Sequence, residues 1–433
     1  MSRIAFVSPL PPARTGIADY SADVLALLAP GHEIDVFHAQ EEVEASRLPS
    51  PIRLHRAAAL LDRHRQRPYD AAVYQMGNGP EHDFLYDLLP RLPGLLVLHD
   101  LVLHHARARM FLDSPAARAY AQDPADRARQ EAARPALEAY RAELSYSYPD
   151  RAARLFEAQL GTVGTLLPYA YPLFRLAVEA SRVTAVHNAF MADAVRSEVP
   201  DAVTTRVAMP MTAPTVAAGA ASALRARLGI AADDFVVGSF GLLTPEKQIE
   251  TVARAVARAA VHVPRIRLLL VGPVPDAGAL ARMLDRVGLA ARTVVTGHVG
   301  FSDLAAHMEA ADVAVHLRYP TARETSAALL RLLAQGRPVI VSDLEHLADL
   351  PGDAVVRADL TDEEGAVTRA LLGLAARPEG RARLGERARE FVRVEHAPAR
   401  SRAHYETAIA QTSARPDPPA RPWPSHWASL TRG

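Results

Sequence analysis

Apolar residues in this chain fall in short continuous runs separated by longer stretches in which they recur every three or four positions. The runs are Ile4–Val7, Ile34–Phe37, Ala71–Gln75, Leu95–Leu98 and Val183–Val186 in the first half, then Phe235–Ser239, Ile266–Val271, Val294–Thr296, Val313–Leu317, Val339–Val341 and Ala354–Val356 in the second. Continuous apolar runs read as strands buried on both faces, and their alternation with helical patterns predicts doubly wound parallel sheets. A Pro, Ala, Gly, Thr and Ser stretch from Met209 to Ala223 parts the two series and reads as a linker. The expected organisation is a first domain over 1–212, a second over 213–396, a helix over 397–412 and a Pro-rich, extended or disordered tail over 413–433. Within the first domain a helical insertion spans about 110–181. It either packs on its own domain, lines an acceptor pocket or touches a membrane surface.

The most informative stretch is ETSAALLRLLAQGRPVIVSD, Glu324 to Asp343. It predicts a helix from about Ser326 to Gln335, a stop at Gly336 and a strand over Val339–Val341. Nearly every residue from Ala327 to Ala334 is apolar, so this helix is covered on most sides and its N-terminus is fixed. Thr325 or Ser326 caps it, and the positive end of its dipole suits an anion.

Composition narrows the partners. The 433 residues carry 49 basic and 49 acidic side chains, which argues against nucleic acid. With 0 cysteines there is neither a disulfide nor a thiolate site, and a cytoplasmic location is expected. No stretch approaches the ~18 uninterrupted apolar residues of a spanning helix; a peripheral membrane contact by the insertion is left open.

Candidate chemistry collects at the ends of the predicted strands, where ligands of such sheets sit. The loop after Ile4–Val7, SPLPPARTGIADYSA, contains Gly16, which either lets backbone approach a ligand or relieves a tight turn. The loop has neither G-x-G-x-x-G nor G-x-x-x-x-G-K-[ST]. Three polar clusters, Gln75-Met76-Gly77-Asn78, His99-Asp100 and His187-Asn188, follow further strands. His99 and Asp100 read either as a structural pair or as a pair in which His99 bonds a substrate hydroxyl or carbonyl. Their spacing to His104 and His105 does not match H-E-x-x-H, so no metal site is expected. In the second half, Lys247 begins a helix after Thr244-Pro245-Glu246 and is suited to a phosphate. Arg318 and Arg323 add charge near Glu324, a carboxylate suited to hydroxyl groups.

In their order and spacing the SPLPPARTGIADYSA loop, LHD, VHN, GLLTPEKQ, VTGHV and the Glu324–Asp343 stretch resemble the GT-B glycosyltransferases, in particular the retaining family 4. The resemblance covers most of the chain. It implies an α/β GT-B fold, two Rossmann-like doubly wound parallel-sheet domains facing a central cleft. It also implies transfer of a sugar from a nucleotide-diphosphate sugar to a hydroxyl-bearing acceptor (a glycan, a lipid-linked compound or a small molecule), with no cofactor and no metal. Carried onto this sequence, Gly16 approaches the diphosphate or sugar, His99 faces the sugar, Lys247 binds the diphosphate and Glu324 holds sugar hydroxyls. The amides around Thr325 and Ser326 receive the phosphate. Two positions depart from the family pattern. Its second carboxylate, which grips the ribose, is replaced by Arg331, with Arg323 rather than Glu324 at the strict first position; a family arginine falls on Leu242. The alternative these departures suggest is a catalytically degenerate partner of another transferase.

Overall fold

The computed structural model describes residues 1–161 and 166–428. Parts of the expected insertion (162–165) and tail (429–433) lie outside the described residues. The chain forms two compact units, one of Met1–Pro210, Ala322–Thr325 and Ala399–Gly433, the other of Met211–Thr321 and Ser326–Pro398.

The first unit is built on seven strands, β1 (Arg3–Val7), β2 (Glu33–His38), β3 (Arg53–Arg56), β4 (Ala71–Met76), β5 (Leu95–Leu98), β6 (Val183–Val186) and β7 (Thr204–Arg206). Their order is β3-β2-β1-β4-β5-β6-β7, and every pair is parallel. The second unit has β8 (Phe235–Phe240), β9 (Ile266–Val271), β10 (Thr293–Val295), β11 (Val313–His316), β12 (Val339–Ser342) and β13 (Val356–Ala358), in the order β10-β9-β8-β11-β12-β13, again all parallel. Most of the apolar runs become central strands, because helices cover both faces, while Val294–Thr296 falls on the edge strand β10 and Ala354–Val356 leads into the edge strand β13. β3 and β7 were not visible as apolar runs. They are edge strands, RLHR and TTR, whose side chains are half-buried or exposed. The linker is shorter than the composition suggests, since a helix already begins at Ala220 behind Gly219 in the left-handed conformation.

Each order reverses direction once, between β1 and β4 and between β8 and β11. Those two switch points mark where loops diverge and leave room beyond the strands. The stretch after Ser326 forms the helix Ala327–Ala334, with Leu329, Leu330, Leu332 and Leu333 buried. Burial of each leucine contributes about 1.5–3 kcal/mol, so packing holds this short helix where propensity alone would not. The Ser326 hydroxyl accepts the Leu329 amide hydrogen at 3.4 Å, and Gly336 at φ 68° stops the helix.

The insertion builds a small core of its own from Tyr140, Leu144, Leu155, Phe156 and Leu173. The tail has neither helix nor strand over 416–424, as its extended reading has it, and it is held to the first unit. Arg182 pairs with Asp417, Trp423 Nε1 donates to Glu179 at 3.4 Å, and Trp427, 1% exposed, donates to Glu143 at 2.8 Å. Two tryptophans in a polar tail were the missed signal: each has a large apolar body and one donor that seeks a buried acceptor. No described helix is long and apolar enough to cross a membrane.

Glu143 is buried, and burial would raise its carboxyl, but Arg107 outweighs this and His426 adds to it, holding the group at about 2. A depressed carboxyl stabilises the fold above its unfolded range and loses that contribution as pH falls through about 2. Trp427→Phe keeps most of the bulk and removes one donor to this carboxylate. It is expected to cost about 1.5–3 kcal/mol at pH 7, against about 3–5 kcal/mol for Trp427→Ala, measured by urea unfolding. The Phe deficit should shrink as the pH is lowered toward about 2, where Glu143 is protonated in the folded state and a donor to its carboxylate no longer counts.

Candidate functional site

In the first unit the polar clusters at the ends of β4, β5 and β6 are joined by hydrogen bonds. Asp100 accepts the Asn78 amide hydrogen at 3.0 Å, and Asn78 Oδ1 accepts that of Ala106 at 2.8 Å. Asn188 caps the helix Ala189–Glu198 through its Oδ1, which accepts from Met191, and its Nδ2 donates to the Arg323 carbonyl at 3.0 Å and to Thr325 Oγ1 at 3.2 Å. Leu101 N–H donates to the Ala322 carbonyl at 2.9 Å. The short segment Ala322–Thr325 is therefore fastened to the ends of β5 and β6, which is why it belongs to the first unit although its flanks belong to the second. Glu324 sits at the centre of this fastened segment, half-buried.

Arg323 adopts φ 60°, a left-handed conformation that costs a non-glycine residue about 1–3 kcal/mol. Its surroundings impose it: the guanidinium donates to the Tyr169 carbonyl at 3.0 Å and lies 5.5 Å over the Phe190 ring. The side chain expected to add charge for an anion is thus engaged by the first unit.

Gly16 opens the helix Gly16–Leu28 just beyond β1. Its φ is not in the left-handed range, and a Cβ built there meets nothing within 4 Å. The reading in which Gly16 merely relieves a tight turn finds no support; the backbone there faces open space. His99 is 5% exposed, with Nε2 2.8 Å from Gln75 Oε1 and Nδ1 3.0 Å from His187 Nε2. Both ring nitrogens are engaged inside the unit, so bonding a substrate through the ring would require displacing one of these partners.

The second unit gathers positive charge at its own switch point. Lys247 is 7% exposed and its amine donates to the Phe240 carbonyl at the end of β8. Gly241 has φ 99°, and a Cβ there would lie 2.9 Å from the Lys247 amine, so only glycine leaves the amine its place. His316, the last residue of β11, is buried beside it. Burial pushes its imidazole well below the ordinary range, and Lys247, Arg318 and His346 push the same way. The Arg318 amide donates to Ser342 Oγ at 3.1 Å, and that hydroxyl donates to Glu363. Burial raises the Glu363 carboxyl despite the Ser342 bond. His316, Ser342 and Glu363 were not singled out from the sequence; they become visible only when β11 and β12 lie side by side. Among the described residues there is no group of three or more His, Cys, Asp or Glu placed to hold a metal ion. His104 serves the insertion, with Nδ1 2.6 Å from the Tyr171 carbonyl.

Residues 234–376 match the family model for glycosyl transferases group 1. No curated protein sequence matches the chain. Among solved structures, HepE of Anabaena in complex with UDP-glucose is 16% identical with a TM-score of 0.64, covering 95% of this chain and 100% of that one. Sucrose-phosphate synthase from Thermosynechococcus elongatus is 19% identical with a TM-score of 0.63, covering 95% and 99%. A glycosyltransferase from Rickettsia africae is 9% identical with a TM-score of 0.65, covering 96% and 99%. At such identities the likeness establishes the fold, which is GT-B, and the family match makes the core of the second unit a glycosyl transferases group 1 domain.

Asn188→Asp separates the two tasks of that side chain. An Asp still caps the helix Ala189–Glu198 but has no donor for Arg323 and Thr325. Hydrogen exchange should rise in a peptide spanning 322–325, with protection of 190–198 unchanged. Unchanged protection in both would show that Asn188 is only a cap.

Proposed function

We propose that the chain is a retaining family 4 glycosyltransferase that moves a sugar from a nucleotide-diphosphate sugar to an acceptor hydroxyl. The observation that carries this is a buried amine, Lys247, at the switch point of a glycosyl transferases group 1 domain. The leaving diphosphate is the largest charge such a reaction develops, and preorganised cations and amides meet it best. Lys247 and Arg318 supply the cations. The start of the helix Ala327–Ala334 supplies dipole and amides, at Thr325 and Ser326. This reading gives the charge to protein groups and assigns no metal and no cofactor. The HepE structures hold UDP or UDP-glucose, which supports a nucleotide sugar as donor.

Glu324 takes sugar hydroxyls, held in place by the fastening of Ala322–Thr325. Gly16 leaves backbone open to the sugar or the diphosphate, and Asp100 is a further substrate-binding group. Arg331 stands where the family pattern has the ribose carboxylate, so the ribose is met by a different group in this chain. The proposed acceptor is a hydroxyl compound. We place the reaction in the cytoplasm.

Calorimetry against UDP-, GDP-, ADP- and dTDP-sugars tests the reading. One donor should bind, and Lys247→Ala should weaken it by about 1.5–3 kcal/mol, the usual range for a hydrogen bond to a charged group, or roughly 10- to 100-fold in Kd. Absence of binding and hydrolysis for every donor, with Lys247→Ala indistinguishable from wild type, would remove it. Gly16→Ala should fold as wild type, because its Cβ meets nothing, while Gly16→Leu should slow turnover without changing the melting temperature.

A further inference from the structure

His316 ends β11 at the switch point of the second sheet, and the proposed reaction gives it no task. Val313 lies abreast of Val237 and Ala314 abreast of Gly238. Carried on two residues, this register sets His316 level with Phe240, the end of β8, whose carbonyl takes the Lys247 amine. On its other side His316 pairs with Val341 of β12. Side chains alternate along a strand, so His316 leaves the sheet on the face opposite Val313 and Val315, which join the core built with Val237 and Ile340. The imidazole therefore lies at a strand end and outside that core, yet it is only 7% exposed. Among the described residues its ring takes part in no hydrogen bond and no ion pair. Buried polar groups normally have a partner, and a ring without one in the protein is a place where a ligand atom can supply it.

The titratable and charged groups facing the ring are Lys247 from the turn Pro245–Lys247, Arg318 two residues along the chain, and His346 from the turn Glu345–Leu347 after β12. Burial first, and then these three, hold the imidazole neutral. Glu363, at the start of the helix Glu363–Ala376, is engaged at β12, where it accepts from the Ser342 hydroxyl. A neutral imidazole among cations changes state when an anion arrives that offsets them. A diphosphate does this, because it carries more negative charge than one amine offsets.

We propose that His316 is a third binding group of the diphosphate site beside Lys247 and Arg318: its ring donates an N–H to a phosphate oxygen and takes up one proton from solvent when the diphosphate binds. The proton returns to solvent on release. By reciprocity the anion raises the ring's affinity for a proton as much as the proton raises the site's affinity for the anion, so binding tightens as the pH falls. The inference rests on the reading of Lys247 as the seat of the diphosphate.

Inorganic pyrophosphate is the probe, since it has the diphosphate group of such donors without base or sugar. The full chain, carbon-13-labelled in its histidines, is followed by NMR from about pH 5.5 to 8.5, with and without pyrophosphate, and calorimetry on the same samples reports binding. The His316 signal is identified by its loss in His316→Gln. In the protein alone it should stay at its neutral position; with saturating pyrophosphate it should titrate within this range. The affinity of the wild type should fall more steeply with rising pH than that of His316→Gln, by up to about tenfold for each unit of pH. The probe's own titration is common to both proteins. Binding with an unmoved His316 signal, or with equal pH dependence in the two proteins, would overturn the proposal and leave the donor reading standing. Absence of pyrophosphate binding would overturn the proposal too, and the donor reading would then be judged by its own screen. Where the variant fails to fold, calorimetry and the movement of the histidine signals of the wild type decide: none moving on binding overturns the proposal.

Discussion

Much of the candidate site depends on one fastening, that of Ala322–Thr325 to the ends of β5 and β6 by Asn188 and the Leu101 amide. The segment has no secondary structure of its own, so its backbone needs partners from elsewhere. It finds them in polar groups that parallel strands leave at their carboxyl ends. The fastening has a cost, since it holds Arg323 in a conformation that only glycine adopts without strain. A loop that carried no task would be expected to relax. This one places Glu324 between two anchored neighbours and delivers the chain to Ser326, where the buried helix starts.

The second constraint is electrostatic. Lys247 and His316 are both buried at the switch point of the second sheet, and two adjacent positive charges are costly there. The conflict is resolved by leaving the imidazole neutral and giving the amine the Phe240 carbonyl, a partial negative charge at the end of β8. Low dielectric makes any charge that comes close to this amine count for more than it would in water. Gly241 belongs to the same solution, because any side chain there would push the amine away.

How much of this was legible depended on whether the information was local. The central strands and the helix from Ser326 could be read because apolar periodicity and capping are properties of a few consecutive residues. β3 and β7 could not, since RLHR and TTR carry no apolar run and are specified by the neighbouring strand's free backbone rather than by their own side chains. Lys247 and Glu324 stood out through their place beside a helix start. Asn188 was noticed only as part of a strand-end pair, because its partners at Arg323 and Thr325 are remote in sequence. The tail's contacts were missed for a related reason. Its composition is that of a disordered segment, and composition averages over Trp423 and Trp427, the residues that bind it to Glu179 and Glu143.

The same lesson holds for a buried row of hydrogen-bonded side chains in the first unit, Tyr20, Tyr405, Gln75, His99 and His187. No residue in it has an unusual sequence context, and each alone would pass as a core residue with a satisfied polar atom. The row includes His99, which sequence reasoning offered to substrate as a free hydrogen-bonding group. Both its ring nitrogens have partners inside the first unit, Gln75 and His187, so a bond to a ligand through the ring would displace one of them.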